Sequence, residues 1–176
     1  MPEELFDSTL FSVPKNLTVE ILRSISDDEI LDFLWHYMLG LTQESGCGRL
    51  DGPSEREVLS AVPAGLRASY VLTILDGEIY NGGFAQWFAN SGGVLSFETI
   101  EALVLIGAER HTELCLQAIR VCEQSVKNPE CRLWELPELE EADDAYYQIQ
   151  RAESFWPRFV RFIREHPEAC IYHFLP

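Results

Sequence analysis

Apolar residues recur along this chain mostly at helical intervals. Ile30, Phe33, Leu34, Tyr37, Met38 and Leu41 keep an i, i+3, i+4, i+7 stripe, which predicts a helix with one face turned inward. Just ahead of it, Ser26-Asp-Asp-Glu29 has the spacing of a capping box, with Ser26 as N-cap and Glu29 three residues on. That helix ends before Gly46-Cys-Gly48. Arg49-Leu-Asp-Gly-Pro53 reads as a loop and Glu55 to Ala61 as a short helix. Pro63 is placed to open the next helix, whose apolar face is Tyr70, Val71, Ile74 and Leu75, up to a break at Asn81. Further on, Ser96 is expected to cap a helix with Ile100, Leu103, Val104 and Gly107 on one side. Cys115, Ala118, Ile119, Cys122 and Val126 then supply the core stripe of a helix near Glu109 to Val126.

Pro129 and Pro137 bracket an irregular connection that carries Trp134. Beyond it the pattern predicts a helix from Glu138 to about Ser154, and a last one from Pro157 to about Glu165, ended by Pro167. No segment alternates for long enough to predict a strand. The fold class expected is all-α, a compact helical bundle of about seven or eight helices. Residues 1–25, interrupted by Pro2 and Pro14, read as an N-terminal arm, and residues 26–176 as one domain.

Composition adds two things. First, 176 residues with 47% hydrophobic content suit a domain that builds its own core without staples. The five cysteines are odd in number and not closely paired, and Met1-Pro-Glu-Glu lacks the basic start and apolar run of a secretory leader. A reduced, cytoplasmic setting is expected. No apolar run approaches the roughly 18 residues of a membrane span. Second, 29 acids against 13 bases give a formal net charge of −16. Such a chain repels nucleic acid and anionic lipid and attracts basic partners, although acidity also serves plain solubility.

Recognisable catalytic chemistry is sparse. His111, Cys115 and Cys122 could share one side of a helix, but zinc sites draw paired ligands from different elements, and here the cysteines fall in a core stripe, where they behave as small hydrophobes. Asp32 and His36 are four apart, yet no Glu-x-x-His motif occurs, which argues against a carboxylate-bridged diiron bundle. There is no Gly-x-Ser-x-Gly elbow, phosphate-cradling loop or dinucleotide fingerprint. No metal, cofactor or catalytic residue is expected.

The densest stretch is Gly77 to Gly93, which holds several glycines, two asparagines and four aromatics. Asn81-Gly82-Gly83 can end one helix and Asn90-Ser91-Gly92-Gly93 the next, since glycine and asparagine tolerate positive φ. Between them Phe84, Trp87 and Phe88 lie at i, i+3 and i+4, so three rings share a face, while Gln86 and Asn90 fall on another side. Exposed amides at Asn81 to Gly83 could meet an anion at a helix start, but the surrounding negative charge opposes one.

Tyr80-Asn-Gly-Gly-Phe-Ala-Gln-Trp-Phe-Ala-Asn-Ser-Gly92, followed by Glu101-Ala-Leu-Val-Leu-Ile-Gly-Ala108, resembles the signature of the DNA-mimic protein family. These are small bacterial all-α proteins typified by an acidic protein that imitates DNA. The family usually carries Tyr where Trp87 stands. Ala142-Asp-Asp-Ala-Tyr-Tyr147 and Phe162-Ile-Arg-Glu-His-Pro167 match its later part loosely, and the likeness extends over about residues 55 to 170. It implies a family motif of Asn81, Gly82, Gly83, Phe84, Gln86, Trp87, Asn90 and Ser91 that identifies the fold, with the working surface elsewhere.

Acidic runs are the candidates for that surface. Glu135, Glu138, Glu140, Glu141, Asp143 and Asp144 fall within ten residues that contain no base. Like charges three or four apart weaken a helix slightly, a cost offset in its first turns by the helix dipole. The functional reading is phosphate imitation: carboxylates on a helix stand about 5–6 Å apart, against duplex DNA with one charge per about 1.7 Å of axis. A second run, Asp27, Asp28, Glu29 and Asp32, could extend the track, and a basic stripe of Arg158, Arg161 and Arg164 could neutralise part of it. The expectation is a non-enzymatic interaction protein, a possible homodimer, whose acidic surface binds a basic protein; the family resemblance implies that this partner is a DNA-binding protein such as a transcription factor, whose DNA binding it blocks. The rivals are an immunity or antitoxin-like protein that neutralises a basic toxin, and a small enzyme with a pocket at Asn81 to Ser91.

Overall fold

The computed structural model describes residues 5–7, 12–47, 54–91, 93–127 and 131–174. These form eight α-helices, two 3-10 turns and four very short strands, so the all-α expectation holds. The chain divides into two compact units, residues 1–70 with 159–176, and residues 71–158. The boundary falls within α4 (Ala64–Ser91) and within α8 (Trp156–Glu165).

In the first unit, the segment expected as an arm carries β1 (Leu5–Asp7) paired antiparallel with β2 (Ser12–Pro14), Phe6 opposite Val13. Next, β3 (Asn16–Leu17) pairs with β4 (Tyr172–His173) near the other end of the chain. Two or three residues are too few to show alternation, which is why no strand is legible in the sequence. Thr18 caps α1 (Val19–Ser24) by accepting from the Ile21 N–H at 3.4 Å. Val13, Leu17 and Leu22 are buried, as are Ile30, Leu34, Tyr37, Met38 and Leu41 of α2 (Ile30–Glu44).

The capping expectation at Ser26 is corrected. At Ser26 the hydroxyl donates to the Glu29 carboxylate at 2.7 Å instead of capping the backbone, residues 27–29 form a turn, and α2 starts at Ile30. The complete capping box is at α3 (Glu55–Ala61), where Ser54 accepts from Glu57 N–H and Glu57 accepts from Ser54 N–H. The expected loop at 49–53 lies outside the described residues. Arg164 ties α8 to the chain after α1, donating to Asp27 Oδ1 at 2.7 Å and to the Leu22 and Ile25 carbonyls at 2.6 Å.

In the second unit, α6 (Glu109–Ser125) packs against α5 (Ser96–Leu105) and α7 (Pro137–Glu153). The predicted cysteine stripe is buried through Cys122, but Val126 lies past the helix end and is exposed. Along α5 the buried face is Glu98, Thr99, Ala102 and Leu103, and Val104 points to solvent. Ser96 is the first helical residue and makes no side-chain cap. The register differs from the expected one because polar Glu98 and Thr99 are turned inward, where an apolar-only stripe cannot see them.

Asp76 gathers a polar network inside this unit. It accepts from Tyr146 Oη at 2.7 Å, Gln150 Nε2 at 2.8 Å and Trp156 Nε1 at 3.0 Å. Gln150 Oε1 in turn accepts from Phe155 N–H and from His111 Nε2, each at 3.2 Å. This sets the His111 ring with its proton on Nε2, and burial holds its pKa below the usual histidine value. Neighbouring polar groups that satisfy one another in this way rigidify a core.

Candidate functional site

The glycine–aromatic segment lies in α4 of the second unit. Gly82 and Gly83 leave helical geometry, Gly83 with φ +77° and ψ −174°, a region open essentially to glycine alone. Helix resumes at Phe84. Phe84, Trp87 and Phe88 are buried together as the i, i+3, i+4 spacing predicts, with Phe84 edge-on to both Trp87 and Tyr146. Gln86 and Asn90 both donate to one oxygen of Glu78, at 2.7 and 2.8 Å, so they brace the two sides of the break. Ser91 ends the helix, its hydroxyl donating to the Trp87 carbonyl at 2.9 Å and accepting from Gly93 N–H at 3.2 Å.

What fills the gap at the break is Asp143 of α7. Its Oδ1 accepts the Phe84 N–H at 2.7 Å, capping the restarted helix across fifty-nine residues of chain. A β-carbon at Gly83 would run into the same carboxylate. The motif and the acidic helix, expected to be separate, therefore meet here. Asp143 is half-buried, and burial is the main cause that pushes its pKa up, opposed by the Phe84 hydrogen bond and reinforced by Asp144 and Glu140.

The other acids of α7 behave differently. Glu138, Glu140, Glu141 and Asp144 are exposed, and none makes an ion pair among the described residues. Leu136 gives α7 no side-chain cap, and the positive end of the helix dipole favours Glu138 and Glu140 in its first turn, by about 0.3–1 kcal/mol each. The dipole effect falls off within that turn and leaves Glu141 and Asp144 without this explanation.

The second run, in the first unit, is partly engaged at home. Asp27 pairs with Arg164, Glu29 accepts from Ser26, and Asp32 lies 3.5 Å from His36. Asp28 is exposed. Of the basic stripe, Arg158 pairs with Glu153 at 3.4 Å and donates to the Gly107 carbonyl, and Arg161 is exposed.

Gly82 and Ala85 line an open cleft of about 370 Å³ with Trp134, Glu135, Glu140 and Asp143. Trp134 belongs to a 3-10 turn, Leu133–Glu135, and is 66% exposed. Sequence reasoning placed it in an irregular connection and missed its part in this cleft; a tryptophan between two prolines beside an acidic run was the available signal. A smaller cleft of about 260 Å³ at the start of α6 holds Arg110, His111, Glu153 and Arg158. Both of its arginines pair with Glu153, and Glu109 in the same lining supplies the second carboxylate, so two acids match two guanidiniums. Among the described residues there is no cluster of three or more potential metal ligands, and no helix is long and apolar enough to cross a membrane.

The family model described as DMP19-like protein matches residues 60–166. That is more than half of the chain and nearly the span over which the motif resemblance runs, and DMP19 is a DNA-mimic family. The chain belongs to the DMP19-like family. Neither the comparison with curated proteins nor that with solved structures returns a match.

Proposed function

We propose that this DMP19-like protein is a non-enzymatic DNA mimic that binds a basic DNA-binding protein and competes with its DNA. The observation that carries the reading is the row Glu138, Glu140, Glu141 and Asp144: four exposed carboxylates on one helix, unpaired among the described residues. Leaving them side by side costs the helix some stability, and the dipole offsets that cost only in the first turn. A DNA-binding protein meets phosphates with rows of Lys and Arg, and the same rows would satisfy these acids. Asp143 has a different part: it holds the glycine break in place and thereby fixes the cleft-lining side of α7.

The test is capture of a basic DNA-binding protein on the immobilised full chain, followed by titration with salt and with duplex DNA. Binding should fall at least tenfold between about 50 and 200 mM salt, and duplex DNA should displace the partner. Replacing Glu138, Glu140 and Glu141 by Gln and Asp144 by Asn should abolish capture while the fold is kept. Salt-insensitive binding, or capture unchanged in that variant, overturns the reading.

A further inference from the structure

We propose that the cleft beside the glycine break receives one arginine side chain of the basic partner, its guanidinium lying on the Trp134 indole and paired with the Glu135 and Glu140 carboxylates. This rests on the reading of α7 as a partner-binding surface and names the residue type that surface recognises. The cleft volume of about 370 Å³ is near the lower end for ligand pockets and suits a side chain better than a folded element. Its wall has two chemistries. Ala85, Leu136 and Pro137 offer apolar contact for an aliphatic stem, while Glu135, Glu140 and Asp143 set the charge.

Trp134 is held out to solvent by its own turn. The neighbouring Leu133 is buried and anchors that turn, yet the indole is 66% exposed. Exposed aromatics beside an acidic wall are complementary to a cation that can both stack and pair. Glu135 has one partner of its own, Arg132 at 3.4 Å, with both side chains largely exposed, and such a pair contributes little. Glu140 makes no ion pair among the described residues. Charge complementarity selects a cation over an anion, and the stacking surface selects arginine over lysine. The guanidinium is planar, weakly hydrated and able to bond a carboxylate through two N–H groups, whereas an ammonium is compact and strongly hydrated.

The experiment is an NMR titration of the full chain with N-acetyl-arginine amide and, separately, N-acetyl-lysine amide at low salt. The Trp134 indole N–H and the amides around Glu135 to Asp143 should shift most, with arginine favoured about threefold or more over lysine. Trp134→Ala keeps the net charge and should remove that preference; Glu140→Gln should weaken both ligands. Equal response to lysine, largest shifts outside the cleft, or an arginine preference that survives Trp134→Ala overturns the proposal. The two readings fail separately. If a DNA-binding protein is captured through the α7 acids and Trp134→Ala does not weaken it, the arginine cleft is wrong and the mimic reading stands. If arginine binds at Trp134 but no DNA-binding protein is displaced by duplex DNA, the mimic reading fails and the cleft stands.

Discussion

Asp27, Asp28, Glu29 and Asp32 in the first unit and Glu138, Glu140, Glu141 and Asp144 in the second are four carboxylates each, at or near the start of a helix. In the first run Asp27 is ion-paired with Arg164, Glu29 accepts from the Ser26 hydroxyl, and Asp32 lies 3.5 Å from His36, an ion pair only when that ring is protonated. In the second none of the four has an ionic partner among the described residues. The first run helps to tie α8 to the end of α1. In the second, the helix dipole at Glu138 and Glu140 is the internal use seen among the described residues. Charge density read along a chain measures how many acids there are; whether they are available depends on which cations the fold brings to them.

The comparison can be broken at the support of the second run. Gly83→Ala places a side chain at φ +77° and against Asp143. A loss of about 3 kcal/mol is expected from the forbidden backbone region and the overlap together, read as a fall in the denaturation midpoint; a near-wild-type midpoint would show that the break tolerates a side chain. Next comes neutralisation of each run separately. Gln/Asn at 138, 140, 141 and 144 should weaken partner binding at least tenfold with stability kept or slightly raised, since like-charge repulsion is removed. The same change at 27, 28, 29 and 32 should leave affinity within about threefold, because the proposed partner surface is on α7 and Asp27 is already paired with Arg164. Equal loss from both runs would end the distinction.

Arg164→Met isolates the role of the first run. It removes three donor contacts and should cost about 2 kcal/mol by chemical denaturation, with partner affinity unchanged. The smallest effect is at Asp143. Its pKa is raised, so the folded state holds this proton more tightly than the unfolded chain. That contribution to stability is present below the ordinary value of 3.8 and is lost as pH rises through the folded pKa. Asp143→Asn keeps an acceptor for Phe84 N–H and removes the titration. The stability gap between variant and wild type should therefore move in the variant's favour from about pH 4 to pH 7, and a gap that moves the other way would mean the charged form is the favoured one.

Much of this was legible in the chain. The helices could be placed because buried apolar side chains recur every 3.6 residues, as in Leu34, Tyr37, Met38 and Leu41. The break at Gly82-Gly83 could be placed because few residues other than glycine reach the positive φ that Gly83 adopts. The ring cluster Phe84, Trp87 and Phe88 followed from spacing, and the motif carried the family. The buried face of α5 was not legible, because inward-facing Glu98 and Thr99 are polar and a periodicity of apolar residues does not register them.

The tertiary structure decided what the charges do. Sequence alone determined that acids cluster at 138–144, that arginines recur at 158, 161 and 164, and that glycines break α4. Only folding could join Asp143 to the Phe84 N–H, Arg164 to Asp27, and Trp134 to the side of the glycine break. Backbone conformation is set by near neighbours and can be read locally, whereas the partner of a carboxylate is set by which distant segments pack against it.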